Sequence, residues 1–159
     1  MGFVNPGRVV VTDDTGRTWK VAYDSIKIQG ADIPQFAKGN REGELYCCAN
    51  TDISYNFSYS VLHSLDYGKS WKVIKSPSSL WSIIVDKKIK EHCLVGTFLS
   101  YQHPIELTPV YESFDAGQNW TQVGKLPTST VWNLALTIDG KKLFAATSEG
   151  LYKYQYSMK

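Results

Sequence analysis

Three stretches of this chain repeat one pattern in different letters. TDDTGRTW (12–19), SLDYGKSW (64–71) and SFDAGQNW (113–120) each run Ser or Thr, any residue, Asp, any residue, Gly, any residue, a small polar residue, Trp. They start at positions 12, 64 and 113, a period of about 50 residues. A period of that length describes a supersecondary unit that buries its faces by stacking on copies of itself. The flanks repeat as well. LWSIIVD (80–86) aligns with VWNLALT (131–137), Trp on Trp, and CLVGT (93–97) with LFAAT (143–147). A looser first copy reads IPQFAKG (33–39) and LYCCANT (45–51).

The unit is therefore strand, basic turn, strand ending near Thr, variable loop, strand, Asp-Gly turn, short strand. We letter its strands A to D from the centre outwards. Aromatic residues make up 13% of the chain, with ten Tyr and five Trp, a composition that favours strands over helices. No helical period runs for long, and the expectation is an all-β fold.

The repeated turn has a physical reading. Asp14, Asp66 and Asp115 stand where a short carboxylate can accept the N–H groups of its own turn. Thr12, Ser64 and Ser113 open the three turns, and Gly16, Gly68 and Gly117 can take the positive φ that such a hairpin needs. Trp19, Trp71 and Trp120 are expected to fold over the hairpins and bury their rings between layers. In the third copy Asn119 replaces the usual hydroxyl residue, with an amide that can still bond locally.

These motifs resemble the Asp-box, or BNR repeat, of sialidase-like β-propellers, and VWNLALTIDGKKLFAATSEGLYKY is similar to the A–B–C part of a blade from that group. The superfamily includes sialidases, xyloglucan-cleaving glycoside hydrolases, sortilin-type receptors and a photosystem II assembly factor, so the resemblance implies a fold far more than an activity. It implies one module over 1–159, built of four-stranded antiparallel blades: a partial blade at 8–23, blades at 31–75 and 80–124, and a partial blade at 131–156. That amounts to about three blades, below the ~4–8 of closed propellers. A homodimer closing a six-bladed ring would resolve the shortfall; a longer propeller of which this is a part is the rival.

In such a propeller the B–C connections share one face. Here they are long and aromatic, DISYNFSY (52–59) and FLSYQHPIELTP (98–109), which makes Tyr55, Phe57, Tyr59, Tyr101 and His103 candidate ligand contacts. Trp81 and Trp132, at the starts of successive A strands, are either a stacking platform or wedges in the blade seams. The opposite face collects basic A–B turns, with Lys38 and Arg41, then Lys87, Lys88 and Lys90, then Lys141 and Lys142. Such a ring could attract an acidic partner, or simply keep hairpins soluble.

Catalysis finds little support. Only Arg8, Arg17 and Arg41 exist to bind a carboxylate substrate in sialidase fashion, and no carboxylate pair stands out among Asp52, Glu106 and Glu112. His63, His92 and His103 are scattered, and a lone histidine is more often a satisfied polar residue than a base. No metal site or cofactor is expected. Cys47, Cys48 and Cys93 read as buried thiols, suited to a reducing, cytoplasmic setting, and no signal peptide is evident. The net charge of +2 argues against nucleic acid as a partner, and no apolar run is long enough for a membrane span. The expected function is a non-catalytic module that binds a protein or a glycan at one channel mouth. The alternatives are a glycoside hydrolase whose site forms on assembly and a purely architectural repeat.

Overall fold

A computed structural model describes residues 6–29, 35–50, 59–74, 76–97, 108–128 and 130–156. Thirteen strands and no helix occur among them. β1 (Pro6–Val11) and β2 (Lys20–Gln29) form a hairpin. A four-stranded sheet follows, with β3 (Gln35–Lys38), β4 (Leu45–Asn50), β5 (Tyr59–Ser64) and β6 (Lys72–Ile74) in sequence order. The next repeats that plan with β7 (Leu80–Val85), β8 (Cys93–Thr97), β9 (Thr108–Ser113) and β10 (Thr121–Leu126). The last has three strands, β11 (Val131–Leu136), β12 (Lys142–Thr147) and β13 (Gly150–Gln155). Every pairing is antiparallel between chain neighbours.

The sheets stack in chain order, and three apolar seams hold them. In the first, Val9 of the opening hairpin packs on Cys47, Ala49 and Leu62, with Trp71 alongside. The second joins Tyr46, Cys48, Val61 and Ile74 to Leu80, Ile83 and Val95. The third sets Leu94 and Val110 against Val131, Leu134, Leu143, Ala145 and Tyr156. Adjacent Cys47 and Cys48 thus serve opposite seams, as strand alternation requires. Both are fully buried, and burial pushes the Cys47 thiol up to about 12, which leaves it inert at neutral pH.

One residue lets the third seam close. A methyl group on Gly96 of β8 would lie 2.4 Å from Ser82 Oγ and 2.5 Å from Val131 Cγ1. Glycine there lets the inner strand of the last sheet press directly on β8.

Candidate functional site

The three repeated turns are superimposable in their hydrogen bonding. The opening hydroxyl of each donates to the Asp Oδ1, at 2.8, 2.8 and 2.7 Å in Thr12, Ser64 and Ser113, and accepts the glycine N–H at 2.9, 2.9 and 2.8 Å. The Asp Oδ2 accepts the side chain four residues on, from Thr18, Ser70 and Asn119, at 2.6 Å each time. Asn119 therefore replaces a hydroxyl without loss of the bond. These donors hold the Asp14 and Asp66 carboxyls down at about 2. Around Asp115 partial burial pushes upward, but the Asn119 backbone and amide outweigh it and the net shift is downward.

The residue before each glycine also has positive φ: 59° at Thr15, 61° at Tyr67 and 58° at Ala116. The sequence reading assigned that conformation to glycine alone. The extra left-handed residue aims its N–H at the A–B turn of its own sheet. Tyr67 N donates to Gly43 O at 2.8 Å, and Ala116 N to Glu91 O at 2.9 Å. In the last sheet, which has no such turn, Tyr156 N does the same job on Lys141 O at 2.8 Å. The three carboxylates thus close their own turns, while the latch to the A–B turn is made by backbone N–H groups.

Trp71 and Trp120 pack into the seams as expected, but Trp19 is 60% exposed. The reason is positional, because each tryptophan leans on the preceding sheet and none precedes the first among the described residues.

Two further polar clusters lie at the A–B turns. Glu44 Oε1 meets Tyr46 Oη and His63 Nε2, both at 3.0 Å, while its Oε2 caps the turn through the N–H groups of Asn40 and Arg41. In the next sheet Asp86 Oδ2 lies 3.0 Å from Nδ1 of fully buried His92, whose ring stacks on Phe114 at 4.3 Å. Tyr156 Oη completes the cluster, 3.2 Å from His92 Nε2 and donating to Glu112. Burial pushes the Asp86 carboxyl up, but the Lys88 N–H and His92 outweigh it, so the group stays ionised. An Asp–His–Tyr arrangement has catalytic overtones, yet this imidazole has no surface to offer a substrate. Nothing in the sequence announced it, because its members come from positions 86, 92, 112 and 156.

The first two basic A–B turns are stitched together, although the lysines Lys38, Lys87, Lys88, Lys90, Lys141 and Lys142 are exposed. Arg41 pairs with Glu91 of the next sheet, and Asn40 Nδ2 donates to Asp86 O at 2.7 Å and to Ile89 O at 2.9 Å.

At the other end of the inner strands the chain does something different. In β7, Leu80 pairs with Thr97 and Ser82 with Gly96, so Trp81 is skipped. In β11, Val131 pairs with Thr147 and Asn133 with Ala146, so Trp132 is skipped. The same bulge in successive sheets lifts each indole out of the pleat, the usual means by which a sheet re-aims a side chain. The rings meet edge to face, 5.4 Å apart at 80°. Trp81 also packs on the second seam, whereas Trp132 is 47% exposed. Trp81 thus packs where a wedge residue would, at the edge of the second seam.

Beside the pair runs a short amide chain. Gln35 of β3 accepts the Ile83 N–H at 3.0 Å and donates to Asn133 Oδ1 at 3.1 Å, so the inner strands of three sheets converge on one spot. The approach to β11 is braced from behind, by Thr128 Oγ1 against Ser148 Oγ at 2.8 Å and by Ser148 N donating to Thr130 O at 3.2 Å. Of the predicted loop contacts, Tyr55, Phe57, Tyr101 and His103 lie outside the described residues, and Tyr59 opens β5 with its side chain likewise outside them. Among the described residues no group of three or more His, Cys, Asp or Glu could hold a metal ion.

Comparison with solved structures places this geometry. The chain is similar to the GH74 xyloglucanase from Xanthomonas campestris, with a TM-score of 0.68 and 17% identity over 92% of this chain and 23% of that one. It is similar to YCF48 bound to D1 peptide, with a TM-score of 0.64 and 19% identity over 98% of this chain and 47% of that one. The fold is that of β-propeller blades. An ancestral GH74 enzyme also matches, with a TM-score of 0.61 and 12% identity over 94% of this chain and 20% of that one. This chain spans less than half the length of each. No protein-family model matches it, nor does any curated protein sequence.

Proposed function

We propose that this chain is a non-catalytic binding module whose recognition element is the Trp81–Trp132 corner, and that its partner is a peptide segment of another protein. The observation that carries the reading is the repeated bulge. Two successive blades each interrupt their pairing at the position that holds an indole, and both indoles arrive at one spot. A bulge of this kind costs a ladder pair, and leaving an indole 47% exposed forgoes much of its burial. Two rings at right angles make a notch for an apolar or proline side chain, while Gln35 and Asn133 can address the backbone of an extended peptide. The four residues carry no titratable group, so the corner can grip but supplies neither acid nor base. A sugar ring is the second reading, because its apolar C–H face also suits an indole and its hydroxyls suit amides. Of the carboxylates open to the hydrolase alternative, Asp52 and Glu106 lie outside the described residues and Glu112 accepts the Tyr156 hydroxyl.

In this reading the assembled form is a pair of identical chains that completes one ring. The experiment for the corner is a peptide array and a glycan array, each probed with the wild-type chain and with Trp132→Ala. Peptide signals that fall at least tenfold in the variant support the reading. Glycan signals with that dependence favour the sugar instead, and identical profiles for the two proteins sink the site.

A further inference from the structure

The polar groups beside Trp81 and Trp132 can be followed donor by donor, and the result selects one kind of peptide. The Ile83 N–H can only donate, so the Gln35 amide must turn its Oε1 towards it, at 3.0 Å. That leaves Gln35 Nε2 facing Asn133, whose oxygen must meet it, at 3.1 Å. One backbone donor thus fixes the orientation of two side-chain amides. What remains open is Asn133 Nδ2. Neither it nor the indole N–H of Trp132 meets an acceptor among the described residues, and both side chains are exposed.

The backbone at this spot is already engaged. The Ile83 N–H of β7 is taken by Gln35, and Val131 O of β11 accepts the Ser82 hydroxyl at 3.4 Å. Side chains from other sheets thus occupy one donor and one carbonyl of the inner strands, and a peptide added there as a further strand would have to displace them. The corner draws on three sheets, with Gln35 from the second, Trp81 and Ile83 from the third, and Trp132 and Asn133 from the last. It is therefore built between sheets.

We infer that the segment this corner takes is a proline-containing stretch in the polyproline II conformation, with a pyrrolidine ring in the notch between the two indoles and a carbonyl of the segment accepting from Asn133 Nδ2. The inference rests on the peptide reading above and names the class of peptide. Donor and acceptor matching selects it. Proline has no N–H, so against open N–H groups it leaves no donor of its own stranded. Its carbonyls are available, because polyproline II has no internal hydrogen bonds. Its ring is apolar and the segment is extended before it binds, so docking on aromatic walls costs little conformational entropy. A strand-forming segment brings N–H groups as well, and the two amide oxygens that could take them already accept from Ile83 and Gln35.

The test is titration of the isotope-labelled 159-residue chain with an acetylated proline octamer and, in parallel, an alternating Thr-Val octamer, read by nuclear magnetic resonance at the indole N–H signals. The Trp132 signal is identified by its loss in Trp132→Ala. The expected result is a shift of that signal with the proline octamer alone, and binding about tenfold weaker in Asn133→Asp. That variant keeps an oxygen for Gln35 and replaces the open donor with an acceptor, at an exposed position where the fold has no reason to fail. No shift with the proline octamer at about 5 mM overturns the inference, and so does binding that Asn133→Asp leaves unchanged. Equal shifts with the two octamers, or a shift with the Thr-Val octamer alone, overturn polyproline II and leave the peptide reading standing. Failure of that reading shows separately, as a peptide array without any Trp132-dependent signal.

Discussion

Asp66 shows how much one side chain can organise when every bond it makes is local. Its carboxylate accepts the Ser64 hydroxyl, the Ser70 N–H and the Ser70 hydroxyl, and so closes the turn within eight residues. The sign of its pH effect follows. The carboxyl sits at about 2 in the folded chain against an ordinary 3.8, so the stabilisation is complete above about 4 and lost as the pH falls towards 2. Thermal melts from pH 6 to pH 2 should show the wild type losing stability over that interval. Asp66→Asn should melt lower at pH 6 and converge on the wild type at the acid end. A constant gap between them at all pH values would mean that the charge has no part in holding the turn. The tryptophans differ more than their shared motif suggests. Trp19 and Trp71 donate to the glycine carbonyl, at 3.2 and 2.9 Å, whereas the buried Trp120 indole N–H has no partner among the described residues.

Among the elements, the inner strands matter most, because each combines a seam with a bulge. Gly96 sits opposite the first bulge and under the strand that carries the second. Gly96→Ala must displace Ser82 and Val131 together, and overpacking of this kind costs about 1–3 kcal/mol. The same change at Gly124 of β10, where a methyl group meets nothing within 4 Å, is the control. Urea unfolding should separate the two variants, and near-ultraviolet circular dichroism should show the indole pair disturbed only in Gly96→Ala. Equal stabilities would contradict the claim that the third seam depends on a missing side chain. The strands themselves were legible in the sequence, since period-two alternation and turn residues act over a few positions. The bulges were not. LWS and VWN look like ordinary strand starts, and only the pairing with β8 and β12 reveals that the indole has been passed over.

For the whole molecule, the question is what keeps the three-stranded last sheet in place. Tyr156 answers it from the end of β13, with its N–H on the A–B turn and its hydroxyl between His92 and Glu112. Tyr156→Phe should keep the fold but strand a buried imidazole nitrogen and a carboxylate, at about 1–3 kcal/mol. Amides of β13 should then exchange faster than those of β4, and an unchanged exchange rate would remove this cluster from the account of the last blade. Within the chain, the sequence by itself determined the all-β class, the blade-like unit, its period and the turn chemistry. All of these follow from contacts between near neighbours, repeated until chance is excluded. Tertiary structure alone decided that Trp81 and Trp132 share one corner, that His92 is locked away from solvent, and that Trp19 stays exposed while Trp71 and Trp120 pack into seams. Those outcomes depend on residues tens of positions apart meeting across stacked sheets, and no local pattern encodes such a meeting.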